Sequence, residues 1–162
     1  IVRLDILTHS TPFSINTQAV ENTNNGIYTS LSKRDLVERY YSRGFGLIPY
    51  TMPGFHGLGP MIFMNDYLFT KDAVSIDDID YEKFADDAIV ELHGCNAGKA
   101  TPLDNIAEDI SEKLADAGKK NAVVIAHRVK SYPENGSYQH GKRVVYHDGE
   151  VLLETTDKGD FS

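Results

Sequence analysis

The chain of 162 residues has no tryptophan, three methionines and a single cysteine. One cysteine cannot close an internal disulfide, so the fold does not depend on oxidation and the question becomes what Cys95 does. Positive charge is also scarce: 16 Lys and Arg stand against 24 Asp and Glu, a formal net charge of -8. That balance repels phosphate backbones and anionic lipid surfaces, so no nucleic-acid or membrane partner is expected. No apolar run approaches the roughly 18 to 20 residues that span a bilayer, and the N-terminus lacks the basic region and apolar stretch of a signal peptide. The chain is therefore expected to be soluble, whether cytoplasmic or secreted as part of a larger protein. Ile1 opens directly into a strand-like run with no starting Met, which leaves room for a longer chain around it.

What is present suits one core. With 41% hydrophobic and 25% charged residues, a chain of this length is expected to form a single domain over residues 1–162. Ile1 to Leu7 (IVRLDIL) alternates apolar and charged residues and reads as a strand ending at His9. Phe13 to Gly26 is rich in Asn, Thr and Ser and reads as a loop or loose hairpin. Ser32 and Asp35, with Leu36, Val37 and Tyr40 on one face, predict a helix over about Lys33 to Ser42. Gly44 to Pro60 is crowded with Gly and Pro and reads as an ordered loop, followed by an extended stretch from Met61 to Phe69.

The second half alternates more regularly. Ser75 to Phe84 carries the Ser cap and early acids of a short helix, and Ala88 to Leu92 (AIVEL) is a buried strand that runs into His93, Gly94 and Cys95. Asp104 is expected to cap an amphipathic helix bearing Ile106, Ile110 and Leu114 and ended by Gly118. Ala122 to Ala126 (AVVIA) is a further buried strand, meeting His127. Arg143 to Tyr146 and Glu150 to Leu153 flank Asp148 and Gly149 as a hairpin. The pattern predicts an α/β fold with a mostly parallel sheet flanked by helices and a C-terminal β-hairpin. In such sheets reactive groups collect at the carboxyl ends of the strands, where this chain places His9, His93 with Cys95, and His127.

A cysteine nucleophile needs a base to form its thiolate and donors for the oxyanion that develops on the attacked carbonyl. Cys95, between a strand end and Asn96-Ala97-Gly98, offers its own backbone N–H for the second need. Three histidines compete for the first. His93, two residues away on the same strand, suits a structural role, whereas His9 ends what reads as a neighbouring strand and His56 sits in the Gly-rich loop.

A strand ending in histidine, followed later by a strand ending in Gly-Cys, resembles the caspase-like cysteine peptidases of clan CD. LDILTHS at Leu4 to Ser10, with VELHGCNAG at Val90 to Gly98, is similar to the bacterial members, which include the self-cleaving peptidase domains of large toxins. The resemblance implies a caspase-like sheet, a polypeptide substrate and no cofactor or metal. It also implies hydrolase activity, in self-processing or as an effector, with Cys95 as nucleophile, His9 as proton carrier and the N–H groups of Cys95 and Gly94 on the oxyanion. Two departures stand: Ser10 follows His9 where the family has Gly, and the His9 to Cys95 interval is longer than usual. His56 has the expected Gly57 beside it and a shorter interval, but Pro53 and Gly54 make a poor strand before it.

Other readings of the same residues stay open. Histidines and a thiol at strand ends also occur as hydrogen-bonded core residues of a non-catalytic binding or interaction domain. His9, His93, Cys95 and His127 are zinc-ligand types, without the paired spacing of recognised zinc sites. The Gly-rich loop lacks the Lys-Ser/Thr ending of a phosphate-binding loop. Asp5, Asp87 and Glu91 could line a pocket for a basic group or simply be solvated carboxylates.

Overall fold

The computed structural model describes residues 1–7, 10–16, 26–30, 33, 36, 74–129 and 141–156. Strand β1 (Arg3–Ile6) pairs in parallel with β6 (Ile89–Leu92), which pairs in parallel with β7 (Val123–His127). β8 (Arg143–His147) then runs antiparallel to β7, and β9 (Glu150–Glu154) antiparallel to β8, completing a five-stranded sheet in the order β1-β6-β7-β8-β9. A second, four-stranded sheet holds β2 (Ser10–Thr11), β3 (Ser14–Asn16), β4 (Gly26–Tyr28) and β5 (Val74–Ser75).

The large sheet is thus mixed, which corrects the expectation of a mostly parallel one. Its parallel part is the β1-β6-β7 block. The antiparallel β8–β9 pair follows from the hairpin turn: Asp148 and Gly149 both have positive φ, 48° and 77°, so two residues reverse the chain, a link that only antiparallel strands can use. The small sheet was not foreseen. Its β3–β4 pair bears out the loose hairpin, while strands of two or three residues carry too little periodicity to be read from sequence.

The helix α1 (Ile106–Asp116) packs against β7 and β8. Its buried stripe of Ile106, Ala107, Ile110 and Leu114 meets Val90 and Leu92 of β6, Val124 and Ala126 of β7, and Val144 and Tyr146 of β8 in one core. Each such fully buried large apolar side chain is worth about 1.5–3 kcal/mol. Ile15, Ile76 and Phe84 join the same cluster and bind the smaller sheet into it. Thr29 Oγ1 adds a polar tie, donating to Asp109 Oδ2 of α1 at 2.8 Å, with Lys33 Nζ on the other oxygen at 2.5 Å. Burial pushes the Asp109 carboxyl up, and Lys33 and Thr29 pull against that rise.

Two local expectations shift. The α1 cap is Asn105, whose side chain accepts from the Glu108 N–H; Asp104, one residue earlier, is exposed and pairs with Lys33. Asn105 is fully buried, and an amide can accept at the helix end while its Nδ2 donates to Lys99 O and Tyr146 Oη, which a carboxylate cannot do. Residues 75–84 form two 3-10 turns, Ile76–Asp78 and Tyr81–Lys83, instead of one helix. Asp80 caps the second turn through the Glu82 N–H, so its side chain competes with continuation of the first. Of the helix predicted from Lys33 to Ser42 only Lys33 and Leu36 are described; the Gly-rich loop from Gly44 to Pro60 and the stretch from Met61 to Phe69 lie outside the described residues.

Candidate functional site

β6 carries Val90 and Leu92 into the core and delivers the chain into a tight turn at 94–98, with Gly94 buried and Cys95 half-buried. The turn closes because Asn96 adopts φ 61°, a left-handed conformation that Asn tolerates better than most residues. Backbone bonds then dock it on the end of β7: Asn96 N donates to Val129 O at 3.1 Å and Gly98 N to His127 O at 2.9 Å. At Gly98 a side chain has no room, since an added Cβ would lie 2.7 Å from Val144 Cγ1 and 3.1 Å from Ala126 Cβ. Gly98 O accepts from Arg128 Nη1 at 3.1 Å and from Tyr146 Oη at 3.3 Å.

The neighbouring parallel strand contributes a contact to the same turn. β1 lies alongside β6 with Ile6 opposite Leu92, and Ser10, which follows shortly after β1, donates its hydroxyl to Cys95 O at 2.7 Å. Both proposed proton carriers, His9 and His56, lie outside the described residues. Ser10, the chain neighbour of His9, is the closest described residue to it in sequence.

His93 occupies a separate charged network on the sheet face away from α1. Its Nε2 lies 2.9 Å from Asp5 Oδ1, and Arg3 binds both Asp5, at 2.8 Å, and Glu91, at 2.6 Å. Arg143 Nη1 holds the other Glu91 oxygen at 3.0 Å. Hydrogen bonds from Arg3, then from His93, keep the Asp5 carboxyl below the usual carboxylate range. This engagement agrees with a structural role for His93. It also removes Asp5 and Glu91 as an open acidic pocket, since two guanidiniums already neutralise them; Asp87 is exposed and is not part of the network.

Metal-ligand geometry separates from the thiol. Among the described residues, the groups whose ligand atoms lie within 4.8 Å of one another are Asp5, Glu91 and His93, and Asp104, Asp109 and Glu112. Neither contains Cys95 or His127, so the described part of the mixed His and Cys zinc set is not brought together. His127 ends β7 fully buried, opposite Arg143 in the strand register.

Two residues of this site escaped sequence reading. Ser10 stands out in the sequence only as a departure from a Gly, and Arg128 beside His127 is marked only by its place just beyond a parallel strand end. Among the described residues no helix is long and apolar enough to cross a membrane. The chain matches no family model, no curated protein and no solved structure.

Proposed function

We propose that the protein is a cysteine-dependent hydrolase, an endopeptidase that cleaves polypeptides through Cys95 and a histidine. The observation that carries the reading is the bond from Ser10 Oγ to Cys95 O, which ties the segment after β1 to the turn after β6. His9 is bonded directly to Ser10 in the chain, and this favours His9 over His56 as the proton carrier. The parallel β1–β6 pair sends both segments off the same edge of the sheet, where α/β folds gather reactive groups.

In this reading the Cys95 thiol gives its proton to His9, and the thiolate attacks the peptide carbonyl to form a C–S bond. The oxyanion is received by the N–H groups of Cys95 and Gly94. Collapse expels the amine, which takes the proton from histidine, and water attack on the thioester returns the free thiol and releases the acid.

The test uses denatured casein as substrate and iodoacetamide as thiol probe. Cys95→Ala should abolish cleavage while leaving the thermal midpoint within a few degrees, because a half-buried turn thiol contributes little packing. Native Cys95 should alkylate faster at neutral pH than free cysteine. His9→Ala should lower kcat by roughly a hundredfold, the scale of lost acid-base help, while His56→Ala acts mainly on KM. The reverse pattern moves the dyad to His56. A native thiol that reacts only after unfolding supports a non-catalytic binding domain instead.

A further inference from the structure

The turn that bears Cys95 is gripped at its far end by a side chain that itself depends on the last strand of the sheet. Arg128 follows β7, and its side chain is only 17% exposed. From there Nη1 reaches Gly98 O at 3.1 Å and Tyr146 Oη at 3.2 Å. The opposite edge of the guanidinium faces β9: Nε donates to Glu154 Oε1 at 2.7 Å, and Nη2 pairs with the same oxygen. Lys142 Nζ holds the second Glu154 oxygen at 3.2 Å. The Arg128 hydrogen bond, with that from Lys142, keeps the Glu154 carboxyl below its ordinary range against the opposing effect of burial.

A planar guanidinium can do this because its donors are fixed in a fork, so orienting one edge on Glu154 also aims the other edge at the turn. The turn needs such closure. Asn96 holds a left-handed φ of 61° at its middle, and the bonds that close on the Gly98 carbonyl hold the chain in that path. Tyr146 Oη braces the same carbonyl and is itself held by Asn105 at the start of α1.

We propose that Arg128 is a positioning residue for Cys95, and that Glu154 couples the docking of the C-terminal hairpin to the reactivity of the thiol. This rests on the reading of Cys95 as nucleophile. Arg128 does not touch the reacting atoms; it holds the Gly98 end of the turn, and the turn presents the thiol and the backbone N–H of Cys95.

The experiment measures iodoacetamide alkylation of Cys95 against pH, amide hydrogen exchange at Gly98 and the thermal midpoint. It compares the full chain with Arg128→Gln, Arg128→Lys, Glu154→Ala and the Arg128→Gln/Glu154→Ala pair. In Arg128→Gln the alkylation of Cys95 at neutral pH should slow roughly tenfold, with faster exchange at Gly98. Arg128→Lys should behave like the Gln variant, since charge without the fork does not aim the turn. Glu154→Ala, a change at a partly exposed side chain, should shift alkylation the same way, and the double variant should add little to Arg128→Gln. A fast wild-type thiol with unaltered alkylation in Arg128→Gln and Glu154→Ala overturns the role of Arg128 alone, whatever the midpoints do; wild-type behaviour of Arg128→Lys does so too. A wild-type thiol no faster than free cysteine overturns the hydrolase reading and this inference with it.

Discussion

Gly98 shows how little latitude a single position leaves. Its missing side chain lets the turn after β6 lie against β7 and β8, with Val144 Cγ1 and Ala126 Cβ where a Cβ would go. Gly98→Ala should therefore cost about 1–3 kcal/mol, the range for overpacking a filled core, and lower the thermal midpoint by several degrees. Val144→Ala removes the nearest obstruction, so the double variant should lose less than the two single losses added together. Strict additivity in thermal melts would show that Val144 is not what Gly98 accommodates. The Cys95 residue itself is expected to be nearly silent in the same assay, which separates a chemical residue from a packing one.

At the scale of the element, α1 turns on which of two adjacent residues caps it. Asp104 and Asn105 are both good caps by type, and only burial chooses between them. Asn105→Asp keeps an acceptor for the Glu108 N–H but loses the Nδ2 bonds to Lys99 O and Tyr146 Oη and buries a charge. It should destabilise the protein by about 1–3 kcal/mol, and Asp104→Asn should stay within about 0.5 kcal/mol. Equal denaturant midpoints for the two variants would place the cap at neither residue in particular. The C-terminal hairpin is simpler: Gly149 at φ 77° suits glycine, and Asp148 at φ 48° is a residue type that accepts the left-handed region.

Over the whole molecule, ion pairs stitch separate strands and make stability depend on acid. Asp5, held down chiefly by Arg3, joins with Glu91 and His93 to link β1 to β6, and Glu154, held down chiefly by Arg128, links β9 to the end of β7. Both carboxyls titrate lower in the fold than in the unfolded chain. Their contribution is therefore present above the ordinary carboxylate range, near about pH 4, and is lost as pH falls through the lower folded values. Thermal midpoints followed from neutral pH down to about pH 2 should drop along this limb. Asp5→Asn combined with Glu154→Gln should flatten the drop while lowering the neutral midpoint only slightly, because both pairs are partly exposed. An acid limb as steep as that of the wild type would remove these two pairs from the explanation.

Elements whose signal is local are legible before folding is considered. The continuous apolar runs around β6 and β7, the period of Ile106, Ile110 and Leu114, and the Asp148-Gly149 turn each carry their own periodicity or backbone preference, and the same elements appear in the structure within a residue or so. The thiol's place just past a strand end was legible for the same reason. Other features depend on neighbours distant in sequence: that β8 and β9 extend the parallel block antiparallel, that a second sheet of very short strands closes on the core, and that Asn105 rather than Asp104 caps α1. The grip on the Cys95 turn belongs here as well. Ser10, Arg128, Tyr146 and Glu154 are spread across most of the chain, and nothing in the spacing of single residues reveals a hydrogen bond between them, because such a bond forms only when folding brings the strand ends together.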